Sequence, residues 1–131
     1  MRVVLLGMTV AACAGIGPPD AMNEPLAAAS DPKRGREVFV SRDGGHCVLC
    51  HAVPGVEVAG NVGPSLAGVG SRLSAGQIRL RIADITRVNP NATMPAFHRR
   101  GGERVAPGYA GKTMLDAQQV EDLVAFLAAS K

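Results

Sequence analysis

Two cysteines and a histidine stand side by side in the stretch that reads HCVLCH at residues 46–51. Cys47, Cys50 and His51 form the pattern C-x-x-C-H. This pattern is found in redox dithiols, in halves of zinc sites and at the attachment points of c-type haem. Each alternative requires a different fold around the three side chains. The pattern therefore constrains the fold more than any other feature of the chain.

The haem alternative accounts for all three residues of the pattern. A structural zinc ion needs four ligands in a tetrahedron, and His46 and His51 are poorly placed to close one with both cysteines, which leaves only His98 further along. A redox dithiol of the thioredoxin kind needs a βαβ context, and no segment alternates as a strand. A haem c would be bound covalently through Cys47 and Cys50, with His51 as an axial ligand of the iron. We therefore predict one covalently attached haem c.

A second axial ligand must come from elsewhere in the chain. Met94 lies between Thr93 and Pro95. The proline disfavours helical backbone at the methionine, which restricts the loop and fixes the direction from which the thioether would reach the iron. Met114 directly precedes the last predicted helix, where a packing role is expected, and His98 is expected in a surface loop. We predict Met94 as the second iron ligand, with His98 and Met114 as the alternatives.

Three helices are predicted from their end signals. A proline directly after Asp31 marks the start of a helix that runs to about Val40. Ser74, followed three residues later by glutamine, is a capping box and begins a helix that runs to about Asp84. The same box at Asp116 begins a terminal amphipathic helix, whose apolar residues recur at helical spacing: Val120, Leu123, Val124 and Leu127.

Glycine- and proline-rich stretches at residues 54–70 and 88–111 separate these helices. The 131 residues include 16 Gly, 9 Pro and three Phe, with one Tyr and no Trp. The core is therefore short of the aromatic side chains that normally supply buried area. Long loops in a small compact domain are usually functional or disordered. Loops wrapped around a bound cofactor would explain both features, and we predict a single all-α domain of this kind.

The first residues are predicted to lie outside the fold. Residues 3–16 form an apolar stretch that is too short to span a bilayer and is typical of a secretory signal. Small residues at 27–29 offer a cleavage site, which predicts a signal peptide over residues 1–29 and a mature domain over residues 30–131. Alternatively, Val-Ala-Ala-Cys ending at Cys13 resembles a lipoprotein signal, and only then would the protein be anchored to a membrane. Both alternatives predict an exported, periplasmic protein.

The formal net charge of +3 is modest. With so few aromatic side chains available to stack on bases, nucleic-acid binding is not expected. The arginines are expected to form a solvated face, and a docking surface for an acidic partner protein is the functional alternative. The densest groups are Arg79, Arg81, Arg87, Arg99, Arg100 and Arg104.

The order of the motifs resembles the class I cytochromes c: C-x-x-C-H, then Gly-Pro-x-Leu, then a Met-Pro loop and a terminal amphipathic helix. In that fold the first and last helices cross, and the resemblance places the crossing at Gly35, Phe39 and Phe126. It also implies that the carbonyl of Pro64 accepts a hydrogen bond from the proximal histidine, His51.

A narrower resemblance is carried by the segments GNVGPSLAGVG, IADITRVNPNATMPAF and GKTMLDAQQVEDLVAFLA. They are similar to SoxX, the family of monohaem subunits of the SoxAX cytochromes in sulfur-oxidising bacteria. This resemblance implies a non-catalytic electron-transfer subunit of a thiosulfate-oxidising complex, an L-cysteine S-thiosulfotransferase. The implied partners are a SoxA-like subunit, the SoxYZ carrier and a small cytochrome c that accepts the electrons. The alternatives are a free monohaem cytochrome c of respiration and a five-coordinate haem enzyme or sensor.

Overall fold

The computed structural model describes residues 20–101 and 107–131, so Cys13, the rest of the apolar leader and Arg104 lie outside the described residues. Within these ranges the chain forms four α-helices and three single turns of 3-10 helix. The α-helices are α1 (Pro32–Val40), α2 (Val69–Arg72), α3 (Ala75–Asp84) and α4 (Ala117–Ala128), and the 3-10 turns are Cys47–Leu49, Ile85–Arg87 and Pro107–Tyr109. The prediction of an all-α fold is confirmed.

The three predicted helices begin where their capping residues stand. The side chain of Asp31 accepts a hydrogen bond from the amide of Lys33 at the start of α1. Ser74 and Asp116 each form a complete capping box with the glutamine three residues later, at the starts of α3 and α4. Because these bonds satisfy amide groups that a helix start leaves without partners, local chemistry alone fixes the helix starts.

The first and last helices, α1 and α4, cross in close contact at Gly35. A Cβ atom at Gly35 would overlap the carbonyl oxygen of Asp122 and would lie 2.8 Å from Cβ of Phe126. Beside the crossing, the rings of Phe39 and Phe126 meet edge to face with their centroids 5.6 Å apart. The glycine permits the close approach and the aromatic pair fills the space around it, as the cytochrome resemblance implied.

The hydrophobic core lies where α1 and α3 pack against α4. Val48 and Phe97 belong to the same buried cluster although they come from the segments between the helices. The loops are therefore packed onto the helical core. No helix in the described parts of the chain has the length and apolar character that a membrane crossing requires. The most deeply buried large side chains are Phe39, Leu80, Leu115, Val120 and Leu123.

A salt bridge is buried between α3 and α4. The guanidinium of Arg79 donates to both carboxylate oxygens of Glu121, at 2.5 and 2.8 Å, and each side chain is only 5% exposed. The prediction of a solvated arginine face is wrong for Arg79, because its carboxylate partner allows the charge to be buried. A second salt bridge joins the first and last helices, since Arg34 on α1 donates to Asp122 on α4 at 2.8 Å.

These two carboxylates should make the protein sensitive to acid. Burial by itself raises the pKa of Glu121, but hydrogen bonds from Arg79 and from the amide of Leu26 outweigh this effect and hold the pKa below its usual range. Hydrogen bonds from Arg34 likewise lower the pKa of Asp122. A carboxyl whose pKa is lower in the folded than in the unfolded chain stabilises the fold above the unfolded pKa of about 4, and this stabilisation is lost as the pH falls further.

We therefore expect the urea midpoint of unfolding to fall steeply as the pH is lowered from about 5, through the unfolded pKa of about 4, towards the lowered pKa values of the folded protein. Asp122→Asn should reduce the midpoint at neutral pH and make its pH dependence shallower. A midpoint that stays constant over this window in the unmodified protein would contradict the expectation.

Candidate functional site

The C-x-x-C-H motif forms a compact turn shortly after α1. Cys47–Leu49 is a single turn of 3-10 helix. The amides of Cys50 and His51 both donate to the carbonyl oxygen of Cys47, at 3.1 and 2.9 Å. His46, at the entrance of the turn, adopts a left-handed backbone conformation with φ of 45°. The turn thus gathers both thiols and the imidazole into one short segment.

The loop that follows folds back over this turn and is held by backbone hydrogen bonds. The amide of Gly60 donates to the carbonyl of Val48 at 2.7 Å, and the amide of Gly63 donates to that of Cys50 at 2.7 Å. A Cβ atom at Gly60 would overlap the carbonyl of Leu49. The loop backbone therefore lies directly against the motif, in a space that only glycine fits.

The imidazole of His51 is oriented by the same loop. Its Nδ1 lies 2.8 Å from the carbonyl oxygen of Pro64, the contact that the cytochrome resemblance implied. Because a carbonyl can only accept, Nδ1 carries the proton and Nε2 keeps its lone pair, which is the form in which an imidazole binds a metal. A Cβ atom at Gly63 would lie 2.7 Å from Nδ1 and 2.9 Å from Nε2. The glycine therefore leaves room for the ring to lie against the backbone.

The state of the two cysteines does not favour the zinc or dithiol alternatives. Cys47 and Cys50 are half-buried and are not joined by a disulfide. Burial raises the pKa of the Cys47 thiol to about 12, whereas a redox nucleophile reacts as the thiolate and needs a lowered pKa. Across residues 20–101 and 107–131, no three His, Cys, Asp or Glu side chains converge to hold a metal ion.

The candidates for the second axial ligand lie in different surroundings. Met94, in the loop after α3, is half-buried and packs against the hydrophobic core. His98 is also half-buried, and its Nδ1 lies 2.9 Å from the carbonyl oxygen of Leu115. Met114 is 55% exposed, so the packing role predicted for it is wrong. Met94 is therefore the methionine whose loop is held in place by the core, and it remains our predicted ligand.

Three large apolar side chains on the motif and on the loop folded over it face outwards. Leu49 is 62% exposed, Val58 71% and Val62 77%. Exposed apolar side chains beside a functional motif are candidates for an interaction surface. The paired thiols, the oriented imidazole and the glycine-lined backbone fit a covalently attached haem. Cys47 and Cys50 would hold the ring and His51 the iron.

The sequence places Gly63 in the Gly-Pro-x-Leu motif, but it did not identify Gly60, or the close contacts of both glycines with the C-x-x-C-H turn, as parts of this site. Their signal was present in the segment GNVGP, where two glycines lie within four positions just before Pro64. Glycines at such spacing often mark places where one backbone or ring approaches another closely. The structure shows that both act in this way on the C-x-x-C-H turn.

Comparisons with known proteins agree with this site. The model of the cytochrome c family matches residues 32–131. The solved structure of SoxXA from P. pantotrophus contains a chain 34% identical to this one, with a TM-score of 0.71 over 80% of this chain and 85% of that chain. The c-type cytochrome SorU from Sinorhizobium meliloti is 22% identical, with a TM-score of 0.51 over 76% of this chain and 88% of that chain, and shows the fold alone. No curated protein sequence gives a significant match.

Proposed function

The chain belongs to the cytochrome c family and is a haem c protein of the SoxX type, and from this premise we propose that it is the electron-accepting subunit of a periplasmic SoxAX complex. The observation that carries the proposal is the 34% identity to a chain of SoxXA over 85% of that chain. In this proposal a SoxA-like subunit couples thiosulfate oxidatively to a cysteine of the SoxYZ carrier. The present chain accepts the electrons one at a time and passes them to a small cytochrome c.

Four side chains would hold the haem in this role. Cys47 and Cys50 would carry the ring, and His51 and Met94 would bind the iron. The bound haem supplies one-electron redox chemistry, and methionine ligation raises its reduction potential. The hydrogen bond from His51 to Pro64, 2.8 Å long, fixes the orientation of the imidazole and makes it a better electron donor. His51 and Met94 together would leave the iron no open position for a substrate, so this role would require no catalytic residue.

The proposed docking face consists of the loops at residues 53–70 and 89–101. The exposed Val58 and Val62 lie in the first loop, close to the motif that would carry the haem. Arg99 and Arg100 are exposed at the end of the second loop and would form a polar rim. An apolar centre with a polar rim is the usual anatomy of a specific interface. A stable complex should bury more than about 1,000 Å² of surface.

We expect the haem-bearing chain to co-elute with a SoxA-like partner in size-exclusion chromatography. Val62→Glu should weaken the complex by at least about 100-fold, because a carboxylate would be buried without a partner. Haem incorporation should be unaffected, since the Val62 side chain is 77% exposed. Met114→Glu is the matched control, because Met114 is also exposed but lies outside both loops.

The same chromatography separates the alternatives. If Val62→Glu leaves co-elution unchanged while the unmodified proteins associate, the docking face is wrong. If the unmodified chain never associates with a SoxA-like protein, it acts as a free monohaem carrier. Ready binding of carbon monoxide by the ferrous protein would contradict the proposed six-coordinate iron and favour an enzyme or sensor.

A further inference from the structure

The segment before α1 is bound to the helical core along its length. We name residues 20–31 the N-terminal strap. The sequence predicts cleavage after Ala29, which would remove most of this strap from the mature protein. The structure instead shows the strap in specific contact with both α3 and α4.

Contacts with α3 hold the beginning of the strap. The carboxylate of Asp20 accepts hydrogen bonds from Arg81 at 3.0 Å and from Gln77 at 3.4 Å. The amide of Met22 donates to the carbonyl oxygen of Gly76 at 2.9 Å. A Cβ atom at Gly76 would lie 2.6 Å from the side-chain oxygen of Asn23, so this glycine makes room for the strap.

The middle of the strap completes the buried salt bridge of Arg79 and Glu121. The carbonyl oxygen of Met22 accepts from Nη1 of Arg79 at 2.6 Å, and the amide of Leu26 donates to Oε1 of Glu121 at 3.0 Å. The side chain of Leu26 packs against the hydrophobic core. Both charged groups therefore depend on the strap for one of their hydrogen bonds, and buried charges that lose partners are costly.

The end of the strap is fixed to α4. The side-chain amide of Gln118 donates to the carbonyl oxygen of Ala29 at 2.6 Å. The amide of Asp31 donates to the carboxylate of Asp122 at 2.7 Å, beside the pair that Asp122 forms with Arg34. The strap thus contacts both helices that hold the buried charges.

We propose that residues 20–29 are retained in the exported protein and that the leader is removed upstream of Asp20 instead of after Ala29. This inference rests on the export that the proposed function includes. Cleavage after Ala29 would remove the partners of Arg79 and Glu121 and the apolar cover given by Leu26. The sequence offers sites further upstream, because small residues at Ala12-Cys13-Ala14 stand within the apolar leader stretch, and a leader of this kind normally ends in small residues.

The test is the intact mass of the haem protein made from the full chain in a bacterium with a cytochrome c maturation system. A mass that corresponds to a first residue at or before Asp20, after loss of the leader, supports the proposal. A lipid at Cys13 identifies the lipoprotein site, and an unlipidated chain that begins after Ala14 identifies the other. A first residue at Ser30 overturns retention alone. An unprocessed chain that begins at Met1 overturns both the processing and the export. None of these masses tests the proposed association with a SoxA-like partner, which the chromatography above tests separately.

The stabilising role of the strap is tested on chains given a foreign leader that is cut before Asp20 or before Ser30. The shorter chain should melt lower, by on the order of 10 °C for a loss of one or two buried hydrogen bonds and an apolar contact. Leu26→Pro in the longer chain removes the amide that bonds Glu121 and should lower the melting temperature in the same direction. Glu24→Gln is the control, because Glu24 is exposed. Equal melting temperatures for the two chains would overturn the proposal.

Discussion

Replacing both cysteines of the motif, as Cys47→Ser together with Cys50→Ser, is expected to reduce covalently bound haem from one per chain to none. A serine hydroxyl does not form the thioether link, so nothing would hold the ring after denaturation. The measurement is the mass of the denatured protein from a host with a cytochrome c maturation system. Each single variant keeps one thiol and should retain some attached haem.

The unmodified protein is the control for this experiment. Its denatured mass should exceed that of the polypeptide by one haem. A mass equal to the bare polypeptide in the same host would show that the C-x-x-C-H turn does not carry haem. The single remaining cysteine, Cys13, belongs to the predicted leader and is not expected to compensate.

Replacing Met94 by alanine is expected to abolish the weak near-infrared band that sulfur-to-iron charge transfer gives in the ferric protein. The side chain of Met94 is the one that we propose as the second axial ligand, and a methyl group cannot replace its thioether. The open position should also let the ferrous variant bind carbon monoxide, and the reduction potential should fall with the loss of the methionine.

Two matched variants assign the ligand. Met114→Ala should keep the band, because that side chain is 55% exposed, whereas Met94 packs against the core. His98→Ala should keep it as well. A band that disappears with Met114 and survives without Met94 would move the ligand to Met114, and an unmodified protein without the band would point to His98.

The helices and their crossing could be predicted because their signals are local or strongly patterned. The caps at Asp31, Ser74 and Asp116 act within three residues of themselves, so the sequence around each position already contains both partners. The crossing required the cytochrome resemblance, because Gly35 and Phe126 lie at opposite ends of the chain and nothing in either neighbourhood identifies the other.

The charge pairs could not be predicted in this way. Arg79 and Glu121 are 42 residues apart, and Leu26 is 95 residues from Glu121. A single sequence shows that an arginine stands on a helix, but the carboxylate that allows its burial is revealed only by the tertiary fold. The exposure of Met114 could not be predicted either, because only the tertiary fold shows that its neighbour Leu115 fills the core at that point.

At the site, the sequence predicts the haem-binding residues, whereas the backbone that supports them could be predicted only in part. The motif predicts Cys47, Cys50 and His51, because few kinds of site place two thiols and an imidazole at this spacing. The hydrogen bond to Pro64 followed from the resemblance to cytochromes. The close approach of the Gly60–Gly63 backbone to the motif depends on how the loop folds back, and this is set by long-range packing.

The crossing of α1 and α4 also determines when the chain can fold. Contacts between distant segments require a large loop to close first, which slows folding. During synthesis the stretch from Val40 to Ala128 takes roughly 4 to 18 s at ordinary rates of chain elongation. For that interval α1 lacks the helix that covers Gly35 and Phe39, and the native core around Leu123 cannot close. The turn at residues 47–51 thus leaves the ribosome long before the last helix, and the core against which Cys47 packs cannot close until that helix has been synthesised.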